Sequence, residues 1–206
     1  MRSIFQKERW MGIVHCGKSH SKEVDIGLLK IEDAYCAEHC AKILSKVTSS
    51  VVLSVGEDQF PKYKELFQQA EIILDSNKVG GFFTGILSVF SAFRIFQFFV
   101  LRADMVYMNP ELFIYLQNEF KKDPNHDFYI FQSKDEIFYS CGIYTKQGLE
   151  KLYNLHNKGN LNFRKPDAIL QYFDTKYFPI EDSWNFFFKS ICKKNNYEFH
   201  ISSIES

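Results

Sequence analysis

Along residues 11–120, short apolar runs that end in polar loops alternate with stretches whose apolar residues recur at helical spacing. Residues 11–16 read as a buried strand entering the loop Gly17, Lys18, Ser19. Residues 31–45 place Ala34, Ala37, Ala41, Ile43 and Leu44 at helical spacing, and 51–55 read as the next strand, ending at a glycine. The pattern continues with a helix over 63–70, a strand over 71–74 ending at Asp75, a helix over 82–93, and a strand over 95–101 leading to Asp104. Asn109, Pro110 and Glu111 then start a helix, because asparagine caps free amides and proline at the first helical position forfeits no needed donor. Such alternation predicts an α/β fold: a three-layer α/β/α sandwich around a mostly parallel, Rossmann-like sheet. Beyond Phe120 the spacing loosens, with strands expected over 128–131 and 136–139, a helix over 146–155, and a Phe-rich tail after Trp184.

A chain of 206 residues buries a core without disulfide staples, so the whole of 1–206 is expected to form a single domain. Lys plus Arg and Asp plus Glu number 25 each, which leaves no global field for nucleic acid or acidic lipid. Any anionic ligand must therefore be held locally. Five cysteines without repeated short spacing, and no preceding signal-peptide core, predict a reducing cytoplasm. Cys36 and Cys40 stand four apart, which fits either a pair of zinc thiolates or a buried helical stripe with Ala34, Ala37 and Ile43. Residues 80–101 hold seven phenylalanines, but Arg94 and Gln97 interrupt them, so no membrane insertion is expected.

Ligands of an open parallel sheet collect outside the carboxyl ends of its strands. Three features fall there. The loop His15, Cys16, Gly17, Lys18, Ser19 brings a glycine and a cation to where a phosphate could approach the backbone, though such a loop is also an ordinary turn. Asp75 precedes Gly81, Phe82, Phe83, Thr84 and Gly85, where glycines before a helix let a base or sugar lie against the main chain; tight helix packing is the competing account. Asp104 ends a strand, where a carboxylate holds magnesium or merely caps a turn.

The order of these three features resembles the molybdenum cofactor guanylyltransferases, within the wider nucleotide-diphospho-sugar transferase-like fold. The family's glycine-rich opening motif resembles Val14, His15, Cys16, Gly17, Lys18, Ser19, continuing through Val24, Asp25, Ile26, Gly27, Leu28 and Leu29. Its Gly-Pro-Leu-Ala-Gly-Ile resembles Gly81 to Ile86, its Cys-Asp-Met-Pro resembles Ala103, Asp104, Met105, Val106, and its helix start matches Asn109, Pro110, Glu111, Leu112. Less specifically, Ser140 to Tyr144 and Phe187 to Cys192 fall where the family has a His-Pro segment and a Phe-Asn-Ile-Asn-Thr segment. The resemblance implies transfer of GMP from GTP to molybdopterin, with Mg2+ as cofactor and a cofactor-carrier or acceptor protein as a further partner. It also implies a nucleotide-binding half over 11–120 and an acceptor-binding half over 121–206. Val14, His15, Cys16, Gly17, Ser54, Asp75, Gly81 and Asp104 would bind nucleotide, and Asp104 would also hold the metal.

Two signature cations are replaced: Ile26 stands at the family lysine, and Ser21 at or near the family arginine. Lys18 and Lys22 are then the catalytic candidates beside Asp104, since a lysine stem reaches from several starting positions. Two other readings remain open. One is a nucleotidyl or nucleotide-sugar transferase with another acceptor, although Arg102 two positions before Asp104 breaks the Asp-x-Asp pattern of sugar transferases. The other is a catalytically silent nucleotide-binding or interaction module, with Phe82 and Phe83 or Phe186 to Phe188 as a partner patch.

Overall fold

The computed structural model describes residues 9–17, 24–76, 81–158 and 165–191. Strands β1 (Trp10–His15), β4 (Val51–Val55), β5 (Glu71–Leu74), β6 (Gln97–Arg102), β7 (Phe128–Gln132), β8 (Ile137–Tyr144) and β9 (Thr175–Pro179) form one sheet in the order β5-β4-β1-β6-β8-β7-β9. β5, β4, β1 and β6 run parallel, while β8 lies antiparallel to both β6 and β7. A small hairpin, β2 (Lys30–Ile31) with β3 (Ala34–Tyr35), stands apart.

Both sheet faces are buried, and the strand sequences show it in alternate residues. Val14, Leu53, Phe99, Leu101, Tyr129 and Phe131 face one core, with α1 (Cys36–Ser45), α2 (Phe60–Leu66) and α4 (Pro110–Lys122) supplying the covering layer. Ile13, Val52, Phe98, Val100, Phe128 and Ile130 face the other, beneath α3 (Phe82–Ala92), α5 (Lys146–Asn157) and α6 (Pro166–Leu170). This is the expected three-layer α/β/α sandwich with a mostly parallel sheet. Stripes buried on both faces explain why the strands read as continuous apolar runs.

Several boundaries shift for local reasons. The helix expected over 31–45 begins only at Cys36, because residues 30–35 form the hairpin and Glu32 turns it at φ 53. The helix expected over 63–70 occupies Phe60–Leu66, with Pro61 in its first turn. The strand expected over 136–139 runs on to Tyr144, so Ser140 to Tyr144 form the buried half of β8. α6 and β9 had no clear signal in the sequence. The α4 start is as expected: Asn109 accepts a 3.0 Å hydrogen bond from the Glu111 amide, with Pro110 at the first position.

Cys36 and Cys40 are buried within the α1 layer, and the Cys40 thiol donates to the Ala103 carbonyl at 3.5 Å, which is the stripe rather than a zinc pair. Phe82 and Phe83 are buried as well, correcting their role as an exposed patch; of Phe186 to Phe188, Phe186 is exposed and Phe188 is buried. Residues 80–101 divide between α3 and β6, and among the described residues no helix is long and apolar enough to cross a membrane.

Candidate active site

Three strands end level with one another. His15 pairs with Ser54 on one side and with Arg102 on the other, and laterally paired residues share a face, so the three polar side chains form a row at the carboxyl edge. Asp75 extends the row, because its amide donates to the Val55 carbonyl at 2.8 Å. The Ser54 hydroxyl donates to Asp75 at 2.7 Å and lies 3.4 Å from His15 Nδ1. α3 presses on this group through Gly85, where a Cβ would come within 2.1 Å of Ser54 Oγ and 2.8 Å of His15 Nδ1. Gly81 begins α3 at φ 66 and ψ −154, a conformation that only glycine adopts without strain.

Burial sets the charge states of this row. It pushes the Asp75 carboxyl up to about 6, against the opposing hydrogen bond from Ser54. It holds His15 down to about 4, with positive Arg102 acting in the same direction and Asp104 against it. His15 is therefore neutral at pH 7 and brings no charge to a phosphate. Its ring stands edge-on to Phe82, 5.1 Å between centroids.

At the other end of the row Asp104 sits just past β6 with its side chain 1% exposed. Arg102 grips it with a fork, Nε to Oδ1 at 2.5 Å and Nη2 to Oδ2 at 2.6 Å. The Ser190 hydroxyl also donates to Oδ2, and the Ile191 amide donates to the Asp104 carbonyl at 3.1 Å. His15, Asp75, Arg102, Asp104 and Ser190 all line one cleft of ≈ 1110 Å³, which Gly17, Ile26, Gly81, Thr84, Tyr139 and the Lys165–Gln171 region complete. That volume is slightly above the usual range of about 300–1,000 Å³ for small-molecule sites.

Of the residues singled out in the sequence, His15, Gly17, Asp75, Gly81 and Asp104 line this cleft. Val14, Cys16 and Ser54 stand behind it, fully buried. The Cys16 amide donates to the Ser54 carbonyl at 2.9 Å and its carbonyl accepts from Gln59 Nε2 at 2.8 Å, so both peptide groups hold the loop in place. The expected contact surface of Val14 to Gly17 thus narrows to His15 and Gly17. Lys18, Lys22 and Ser21 lie outside the described residues, as does Cys192. Ile26 is on the cleft wall, 4% exposed, where the resemblance expects a lysine.

Sequence reasoning did not anticipate the Arg102 fork, although residues two apart at a strand end share a face. Ser190 had no local signal, being 86 positions from its partner. Lys165 and Asp167 enter from α6 and its start, with Pro166 at the first helical position. Among the described residues no three His, Cys, Asp or Glu side chains are grouped so as to hold a metal ion. Magnesium commonly takes one or two carboxylates and completes its shell with water and substrate phosphates. A single strand-end carboxylate therefore suits a metal that arrives with a nucleotide rather than alone.

A mostly parallel sheet with a large cleft at its carboxyl edge, bounded by two strand-end aspartates and a glycine-led helix start, is the architecture of a nucleotide-binding α/β protein, and the family match makes it a nucleotidyltransferase domain. The chain belongs to the MobA-like NTP transferase family, whose domain matches residues 17–171. No curated protein matches it by sequence. Its fold is similar to that of molybdopterin-guanine dinucleotide biosynthesis protein A from Archaeoglobus fulgidus, at 19% identity and TM-score 0.75, over 95% of this chain and 99% of that one. It is also similar to 4-diphosphocytidyl-2C-methyl-D-erythritol synthase from Anaerococcus prevotii, at 9% identity and TM-score 0.69, over 97% of each chain. A Mycobacterium tuberculosis protein solved as a complex with manganese superposes at 10% identity and TM-score 0.64, over 95% of this chain and 99% of that one.

Proposed function

We propose that this nucleotidyltransferase moves GMP from GTP to molybdopterin. An oxygen of the pterin's terminal phosphate attacks the α-phosphorus of GTP, the bond from that phosphorus to the bridging oxygen breaks, and pyrophosphate leaves with the electron pair. The observation that carries the reading is the placement of Asp75, Gly81 and Asp104 along one cleft, in the order of the guanylyltransferase motifs. The nucleotide lies over 11–120, its base and sugar against Gly81 and Asp75, and its phosphates toward His15, Gly17 and Arg102. The acceptor approaches from 121–206, across Tyr139 and the start of α6.

Transfer of this kind needs positioning and charge neutralisation more than a side-chain nucleophile. Asp104 would hold Mg2+ accompanying GTP, and the ion would supply positive charge to offset that on the departing pyrophosphate. Arg102 places a second cation at the same edge, and Lys18 and Lys22 are candidates for the remaining charge. Neutral His15 and the buried Ser54 keep the floor fixed without adding charge. Cys16, Cys40 and Cys141 are buried free thiols, which suits a reducing cytoplasm. A carrier protein that delivers or receives the pterin is part of this reading.

Another acceptor or base is the second reading, favoured by the likeness to cytidylyl-transferring folds and by a wall of Lys165, Asp167 and Tyr139 that the guanylyltransferase motifs do not specify. Calorimetric titration with GTP, ATP and CTP, with and without Mg2+, separates them. Mg2+-dependent preference for GTP, with pyrophosphate released on adding molybdopterin, supports guanylyl transfer. Preference for CTP selects the second reading, and tight GTP binding without pyrophosphate release on adding molybdopterin overturns transfer to this acceptor.

A further inference from the structure

Asp104 combines two properties that oppose each other in a metal ligand. Its side chain is almost completely buried, and its two oxygens already receive three charge-assisted or hydroxyl hydrogen bonds, two from the Arg102 fork and one from Ser190. A carboxylate so occupied presents little free lone pair and little net charge to a cation. Arg102, by contrast, is a cleft-wall residue with 31% of its side chain exposed. A guanidinium forks onto phosphate with the same geometry it uses on carboxylate, so a phosphate in the cleft competes directly for Arg102. The surroundings favour that exchange. The described cleft wall carries Asp58, Asp75, Asp104 and Asp167 but only Arg102 and Lys165 as cations, and Ile26 supplies none. An incoming polyphosphate therefore meets Arg102 as one of few opposite charges.

We infer that Arg102 is a positioning residue that holds Asp104 closed to bare divalent cations, and that the phosphates of a bound nucleotide draw its guanidinium away so that metal and nucleotide enter together. The part played by the nucleotide rests on the nucleotidyl-transfer reading. The competition at Asp104 does not.

Binding of Mn2+ alone, followed by the loss of the free-ion paramagnetic resonance signal, tests the competition without any nucleotide. Arg102→Met should bind Mn2+ at least ~10-fold more tightly than the unsubstituted protein, since the hydrogen-bonded charge pair it removes is worth about that much. Asp104→Asn placed on top of Arg102→Met should abolish the gain. Arg102→Lys keeps the charge and loses the fork, so it should fold readily and bind Mn2+ with intermediate affinity, which retains the test if Arg102→Met does not fold. Equal Mn2+ affinity in the unsubstituted, Met and Lys proteins would overturn the inference, because a merely structural fork would change stability and leave metal affinity alone. Metal-free GTP should bind Arg102→Met at least ~10-fold more weakly than the unsubstituted protein. If no nucleoside triphosphate binds any of these proteins while Mn2+ still distinguishes them, the nucleotidyl-transfer reading falls and the competition at Asp104 stands.

Discussion

The Ser54 hydroxyl donates to the Asp75 carboxylate at 2.7 Å across the ends of β4 and β5, and it does so from a fully buried position. Ser54 thus acts on the cleft through Asp75, as the support that keeps a half-buried carboxylate aimed at the ligand. The arrangement has a cost that pH reveals. Because burial raises the Asp75 pKa from 3.8 to about 6, the folded protein binds a proton there more tightly than the unfolded chain does.

The sign follows directly. The contribution of Asp75 to stability is fully present below pH 4 and is lost as pH rises toward and through 6. Asp75→Asn should therefore be more stable than the unsubstituted protein at pH 8, by about 1–3 kcal/mol, with the difference vanishing below pH 4. Urea unfolding at pH 4, 6 and 8 measures it, and the same variant should lose nucleotide affinity. A stability difference that did not change with pH would show that the carboxylate is not held in this state.

Gly85 fixes how closely α3 approaches that pair. A methyl at this position would sit 2.1 Å from Ser54 Oγ, 2.8 Å from His15 Nδ1 and 3.1 Å from Asp75 Oδ1, so the helix or the polar row must move. Gly85→Ala should cost about 1–3 kcal/mol and weaken nucleotide binding by about tenfold or more. Thermal unfolding together with calorimetry checks both, and normal affinity in the variant would remove the row from the site.

How much of this was legible beforehand depends on the range of the interactions. The Asn109 cap, the buried strands and the aspartates at 75 and 104 are written in neighbouring residues, and periodicity exposes them. Tyr35 to Glu38 is equally local, the Tyr35 amide donating to the Glu38 carboxylate at 3.0 Å, yet the hairpin before it is hidden under the helical spacing of 31–45, because its four paired residues are too few to show a period of two. The Arg102 fork lies within reach of the two-residue strand period, since residues 102 and 104 share a face there, but nothing local in the sequence marks the pair as bonded to each other. Ser190 and the α6 wall reach the cleft by folding across the sheet, and no window of sequence joins them to it. The Cys16 loop shows the converse case: the motif was readable, but the use of its peptide groups by Ser54 and Gln59 was not.

His126 closes the opposite edge of the sheet from the cleft. Its Nδ1 lies 2.8 Å from Asp174 and its Nε2 3.0 Å from Asp123, so the imidazole bridges the end of α4 and the residue before β9. The hydrogen bond with Asp174 and that with Asp123 raise its pKa above 6.5, against burial. The stabilisation is complete below pH 6.5 and is lost as pH climbs through the raised value. His126→Gln should lower the urea midpoint at pH 6 and converge with the unsubstituted protein by pH 9. Parallel midpoints at both pH values would count against the bridge.

Ile26 stands on the cleft wall at the position where the sequence resemblance expects a lysine. The side chain is buried on the cleft wall, and an isoleucine there neutralises no charge. Ile26→Lys exchanges buried methyl groups for a charge in a cleft whose described wall is richer in aspartate than in cations. The loss of packing should cost about 1–3 kcal/mol of stability. The added cation should raise affinity for the triphosphate more than for the nucleoside, by about tenfold or more, because only the triphosphate presents charge to it. Titration of GTP against guanosine on both proteins separates the two effects. An equal gain for both ligands would mean that the new side chain contacts the base or sugar, and that the phosphates lie elsewhere along the strand ends.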